Sequence, residues 1–158
     1  AWYLSDNNHL DMAKLLSAFQ QFFRENADAW IEHFDYKEAG PQLLMQAFLQ
    51  RIVNGGGRIN REYALGRKRT DLLIEWPTTS KGFYGEVQRI VIELKILYGA
   101  LDTCIEQGLI QTAGYADGVG AAQAHLIIFN RTPEVAWDDK VWQRQGKQQQ
   151  REIGIWGC

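Results

Sequence analysis

A single α/β domain with a mixed sheet is predicted by three observations. Apolar residues recur at helical spacing through residues 9–52. After Asn54-Gly55-Gly56-Gly57 the period changes to that of strands. One further helical stretch, near 99–117, then separates two strand-sized apolar runs. The chain has 158 residues, one domain's worth and too few for two well-cored ones.

The elements follow in order. Leu10, Ala13, Leu16, Phe19 and Phe23 share one helical face, after the N-cap candidates Ser5 to Asn8, and predict a helix over 9–26. Trp30, Ile31 and Phe34 predict a short second helix over 28–36. Pro41 suits a first helical turn, so a third helix should run through Leu44, Phe48 and Ile52 and stop at the glycines. Strands are expected at 58–65 and 69–76, joined by a tight turn at Gly66-Arg67-Lys68, with Pro77 closing the second. Residues 78–87 read as a loop or ragged hairpin end, 88–96 as the clearest strand, 99–117 as a helix and 124–130 as a strand. Residues 141–145 and 152–156 predict a closing hairpin turning at Gly146-Lys147.

Composition excludes several classes. At 46% apolar and 23% charged residues, the chain is neither disordered nor fibrous. No apolar run approaches the roughly 18 residues of a membrane helix, so no membrane role is expected. Cys104 and Cys158 are too few for a disulfide framework and lack metal-ligand spacing. The N-terminus has no signal-peptide pattern, and the expectation is a reducing, cytoplasmic setting. Because the chain opens on Ala1 in a helix-forming region, it reads as a processed start, an excised domain or the product of tag removal.

A formal net charge of −2 argues against a surface that clings everywhere to nucleic acid. The charge is uneven, however. Residues 1–40 carry seven acids against three bases, whereas 51–70 carry Arg51, Arg58, Arg61, Arg67, Lys68 and Arg69 against Glu62 alone. Such a stripe fits a restricted phosphate-binding surface, or a strand edge kept soluble by its charges.

The strand at 88–96 holds the chemistry. With period two, Ile90, Ile92, Leu94 and Ile96 form one aliphatic face; Arg89, Val91, Glu93 and Lys95 form the other. A carboxylate and an ammonium two residues apart on a central strand are costly to bury without a task, though a satisfied pair at a strand end is the plain alternative. Asp71 opens the apolar run of the preceding strand, where an acid packs poorly. If the two strands are antiparallel neighbours, Asp71 can face Glu93. Two carboxylates beside an ammonium suit a hard cation such as Mg²⁺ or Mn²⁺.

Asp71 followed by Glu93-Leu94-Lys95 resembles the PD-(D/E)XK nuclease superfamily. Gln111 and Tyr115, one turn apart on the following helix, are similar to the Gln-x-x-x-Tyr motif of its RecB and lambda-exonuclease-like branch. The runs from Arg61 to Ile74, Val91 to Lys95 and His125 to Arg131, with Ile155-Trp156-Gly157, resemble nuclease-type domains at the C-terminus of AAA-like ATPases. Thr70 stands where the superfamily often has proline, and Asn130 where this group usually has aspartate.

The resemblance implies a restriction-endonuclease-like αβββαβ core with a mixed central sheet, extra N-terminal helices and a C-terminal β-hairpin. The whole chain would be one such domain, with residues 1–35 as a helical extension linking to an upstream ATPase. It implies a metal-dependent nuclease acting on DNA rather than RNA. Asp71, Glu93 and the Leu94 carbonyl would hold Mg²⁺ or Mn²⁺, and Lys95 would be the catalytic lysine. Gln111 and Tyr115 would orient substrate or the lysine, and Arg67, Lys68 and Arg69 would meet phosphates. An upstream acid should complete the metal site; Glu38 is preferred and Glu62 is the rival. No G-x-x-x-x-G-K-[ST] loop is present, so an ATPase partner would lie outside these residues. Oligomerisation stays open. The alternative is a catalytically silent module that binds nucleic acid or protein for such an ATPase.

The remaining candidates read as structural. His9, His33 and His125 lack zinc spacing, Cys104 is a small packing residue, and no serine lies in a nucleophile elbow. The six tryptophans suit core and cap positions better than base stacking.

Overall fold

The computed structural model describes residues 1–33, 40–63 and 69–158. Among these, four α-helices accompany a mixed six-stranded sheet. The order is α1 (Met12–His33), α2 (Gly40–Val53), β1 (Arg58–Tyr63), β2 (Arg69–Pro77), β3 (Val87–Ile96), α3 (Leu101–Val119), β4 (Gln123–Phe129), α4 (Trp137–Lys140), β5 (Trp142–Gln148) and β6 (Arg151–Gly157). A short 3₁₀ turn, Gly82–Tyr84, lies between β2 and β3. The strands are ordered β1-β2-β3-β4-β6-β5. The β3–β4 and β4–β6 pairs are parallel, and β5–β6 is antiparallel. No described helix is long and apolar enough to cross a membrane.

The chain divides into two compact units, residues 1–60 with 74–89, and 61–73 with 90–158. In the first, α1 buries Leu15, Leu16, Phe19, Phe23 and Ala27, and α2 buries Leu44, Met45, Leu49 and Val53. Phe48 joins the two helices, its ring centroid 5.5 Å from Phe19 and 5.4 Å from Phe22. Two helices were expected over 9–36, but α1 runs unbroken to His33. Ala27 prolongs the buried stripe of Phe19 and Phe23 at four-residue steps, and neither Gly nor Pro interrupts it. Gln88 ties the entry of α1 to β3: its Oε1 accepts from Leu10 N–H (2.7 Å), and its Nε2 donates to Leu10 O (3.1 Å).

In the second unit, α3 packs on Val91, Leu126, Ile128, Ile153 and Ile155 through Cys104, Ala113 and Ala116. The helix ends at Gly120, whose φ of 70° is left-handed and which donates its N–H to Ala116 O. Close approach requires Gly108, since a Cβ there would sit 2.6 Å from Leu126 Cδ2. The closing hairpin turns at Gln149-Gln150, not at Gly146-Lys147. Gly146 instead pairs with Ile153 inside the ladder, where a Cβ would meet Ile155 Cδ1 at 2.8 Å. Its glycine serves packing, a use that a turn-seeking reading of Gly-Lys cannot distinguish.

This packing sets one expected outcome. A Cβ on Gly157 would press on the Trp142 ring and lie 2.5 Å from the Lys140 carbonyl oxygen, which cannot swing away. Gly157→Ala should cost about 1–3 kcal/mol. Gly114, exposed within α3, meets nothing within 4 Å, and Gly114→Ala should gain up to about 1 kcal/mol. Urea unfolding of both variants beside the parent checks the sign and the gap.

Candidate active site

Strand β3 is buried on both faces. Ile90, Ile92, Leu94 and Ile96 are buried as expected, and Val91 and Glu93 on the opposite face are also fully enclosed. Glu93 stands beside Leu126 of β4, and Lys95 beside Ile128. The Glu93 side chain, at 0% exposure, has an aliphatic neighbour on the β4 side, and an ionised carboxylate is expensive to enclose there. Lys95, two residues on, is half-buried.

Helix α3 lies over this face, and it brings the second motif to the first. Lys95 Nζ donates to Gln111 Oε1 across 3.1 Å. Four residues further along α3, Tyr115 is half-buried against the Val91–Leu126 cluster. Cys104, two turns before Gln111 on the same face of α3, has its thiol pKa raised by burial, with the charge of Lys95 acting in the opposite sense. A thiol held protonated is a poor nucleophile, so Cys104 is packing in character.

Asp71 lies on β2, the neighbour of β3, and is 5% exposed. Its Oδ1 is buried and has no hydrogen-bond partner among the described residues. The pairing of the hairpin can be followed from its loop end. Thr78 N–H donates to Glu86 O at 3.1 Å, and Glu75 Oε2 meets Arg89 Nε at 3.3 Å. Numbers rise on one strand as they fall on the other, the order of an antiparallel ladder. Counted back one residue against one, Asp71 falls opposite Glu93.

Other expected site residues are placed less fully. Leu94 is a core residue of β3. Arg69 and Glu62 belong to β2 and β1, and their side chains lie outside the description. Glu38, Arg67, Lys68 and the turn expected at 66–68 lie outside the described residues. Among the described residues, no three or more His, Cys, Asp and Glu side chains gather as a metal-holding group. Two acids with the Leu94 carbonyl would need a further donor to fill the shell of a hard cation.

One pair escaped the sequence reading. His125 on β4 accepts at Nδ1 a hydrogen bond of 3.1 Å from Trp156 Nε1 on β6, and its Nε2 is buried without a hydrogen-bond partner among the described residues. Gly154, opposite His125 in the ladder, makes room: a Cβ there would lie 2.7 Å from His125 Nδ1. The signal was a histidine inside an apolar strand with a glycine in the final strand, too common a combination to single out.

No protein family, curated protein or solved structure is significantly similar to the chain.

Proposed function

We propose that the chain is a metal-dependent nuclease domain of restriction-endonuclease-like fold that hydrolyses phosphodiester bonds in DNA. The observation that carries this reading is the 3.1 Å bond between Lys95 and Gln111. It joins the strand motif Glu93-Leu94-Lys95 to the helix motif Gln111-x-x-x-Tyr115. Neither motif needs the other for packing, and chance would not favour their meeting through the two functional side chains.

The donor set suits Mg²⁺ or Mn²⁺. Asp71 and Glu93 offer hard oxygens, and the buried, unbonded Oδ1 of Asp71 is an acceptor that a cation would satisfy. When bound, the ion supplies a more acidic water and offsets charge on a phosphodiester oxygen. Glu38 would add the further carboxylate, with Glu62 as its rival, and the Leu94 carbonyl would add another oxygen.

The chain's own residues do the rest. Lys95 carries its ammonium on a flexible stem, and the bond to Gln111 holds it in one arrangement, removing freedom before substrate arrives. From there it orients the attacking water and offsets charge that grows on the phosphorus oxygens. Tyr115 lies one turn from Gln111 on the same face, in reach of the same substrate. Arg67, Lys68 and Arg69 would grip phosphates without reading sequence. The resemblance that suggests this role also suggests an AAA-like ATPase as a working partner.

The test pairs cleavage with metal binding. Labelled single- and double-stranded DNA should be cut with Mn²⁺ or Mg²⁺ and not in EDTA. Millimolar Mn²⁺ should raise the thermal midpoint of the parent by mass action. Asp71→Asn should lose both responses, and in EDTA it should be more stable than the parent by about 1 kcal/mol, because a buried charge is gone. A parent that neither cuts DNA nor responds to either ion would instead be a silent binding module.

A further inference from the structure

The loop that joins β2 to β3 is fixed in shape yet holds an aromatic ring wholly in solvent. Gly82 N–H donates to Thr79 O (3.1 Å), Tyr84 N–H to Lys81 O (3.2 Å) and Gly85 N–H to Gly82 O (3.1 Å). Thr79 Oγ1 accepts from Lys81 N–H at 3.3 Å. Gly82 sits at a φ of +60°, and a Cβ on Gly85 would lie 2.5 Å from Thr79 Oγ1 and 2.9 Å from Lys81 Cβ. This many constraints on seven residues cost backbone entropy. Tyr84, at 100% exposure, returns no packing for it.

The surroundings of the ring are cationic. The Arg58 guanidinium lies over the Phe83 ring, 3.6 Å from its centroid, and the ring stays 38% exposed beneath it. Lys81 is exposed beside it. The nearby acids are already engaged: Glu86 by His9 at 3.2 Å, and Glu75 by Arg89 at 3.3 Å and Asn60 at 3.0 Å. Among the described residues, neither Arg58 nor Lys81 meets a carboxylate. A flat exposed ring on a loop that also carries an exposed lysine, and next in sequence to the ring under Arg58, suits a base with phosphates nearby. A protein partner would need a contiguous apolar patch, whereas here the second exposed aromatic carries a guanidinium over one face of its ring.

We propose that residues 79–85 form a stacking platform for an unpaired base of a single-stranded nucleic acid, with Tyr84 against the base and Lys81 and Arg58 on flanking phosphates. This site rests on the loop and on Arg58 of β1, and it stands whether or not the chain cleaves its ligand.

Fluorescence anisotropy of the full chain with labelled oligothymidylate, oligouridylate or blunt DNA duplex, all in EDTA, tests it without cleavage. Tyr84→Ala should weaken single-strand binding about 5- to 150-fold, the equivalent of one lost base stack, and leave duplex binding within about twofold. Tyr84→Trp should bind like the parent, because a base needs only a ring face. Lys81→Ala should lower the slope of log affinity against log salt by about 0.7. The ratio of thymidylate to uridylate affinity tells whether DNA or RNA is the source of the strand. Single-strand binding unchanged in Tyr84→Ala, or absent from the parent at low salt, overturns the proposal and leaves the loop to a protein partner. Since Tyr84 touches no core residue, its loss should not move the unfolding midpoint, which separates lost binding from lost fold.

Discussion

Lys95→Ala is expected to lower metal-dependent cleavage about 10²- to 10⁴-fold, the range seen when a group that assists proton transfer or charge development is removed. The variant should still bind DNA. Lys95→Arg should not rescue it, since a planar guanidinium cannot occupy the place of a compact ammonium held by one amide oxygen. Gln111→Ala should cost about tenfold, because a hydrogen bond to a charged group contributes about 1.5 kcal/mol or more. The decisive measurement is the double variant. If Gln111 acts only by holding Lys95, Gln111→Ala on top of Lys95→Ala should cost nothing further. Independent, multiplying losses would mean that Gln111 touches substrate on its own account. Full activity in Lys95→Ala would sink the nuclease assignment of this strand.

Much of the framework was legible because the strongest elements bury themselves in the simplest way. Strand β3 reads as aliphatic on alternate positions, and those four residues are indeed buried. Helix α2 follows from Pro41 and the glycines beyond Val53, and the helix expected over 99–117 is α3, whose Ala113 and Ala116 pack on the sheet. Boundaries were less legible where one residue type has two uses. Gly146 signals a turn in isolation but fills a crowded ladder position under Ile155. A separate helix was expected over 28–36 from Trp30, Ile31 and Phe34, yet the apolar stripe through Ala27 belongs to one helix that runs on to His33.

The candidate site divides along the same line. Asp71, Glu93 and Lys95 stood out because charged residues on apolar strands break the alternation, and a break of that kind calls for an explanation. Gln111 stood out only through the resemblance; its bond to Lys95 depends on how α3 lies across the sheet, which no local pattern encodes. The loop at 78–87 was expected, but the exposure of Tyr84 was invisible for the opposite reason. A tyrosine between glycines is unremarkable in a string of letters, and only its complete exposure in a loop held by its own hydrogen bonds makes it notable. The His125–Trp156 pair is a contact between neighbouring parallel strands, and such register is set by the whole sheet.

That pair should dominate the acid side of the stability profile. Burial lowers the His125 pKa from 6.5 to about 4, and the bond from Trp156 requires a bare Nδ1, which protonation would remove. The folded state therefore keeps His125 neutral at a pH where the unfolded chain has already taken up a proton. Above pH 7 both states are neutral and nothing is lost. As pH falls from about 6.5 towards 4, the unfolded state gains, and stability drops by a total of about 3 kcal/mol, of which about 2 kcal/mol is gone by pH 5. Other groups titrate in the same window, so the useful quantity is a difference. His125→Gln, which carries no titrating ring, should be less stable than the parent at pH 7.5, for the Trp156 bond and the fit against Gly154 are disturbed. It should lose less on acidification, and the gap between the two proteins should close by about 2 kcal/mol at pH 5. Urea unfolding at the two pH values measures this directly. Equal losses in parent and variant would mean that His125 is not kept neutral by the fold, and that water reaches the ring which the packing of β4 against β6 encloses.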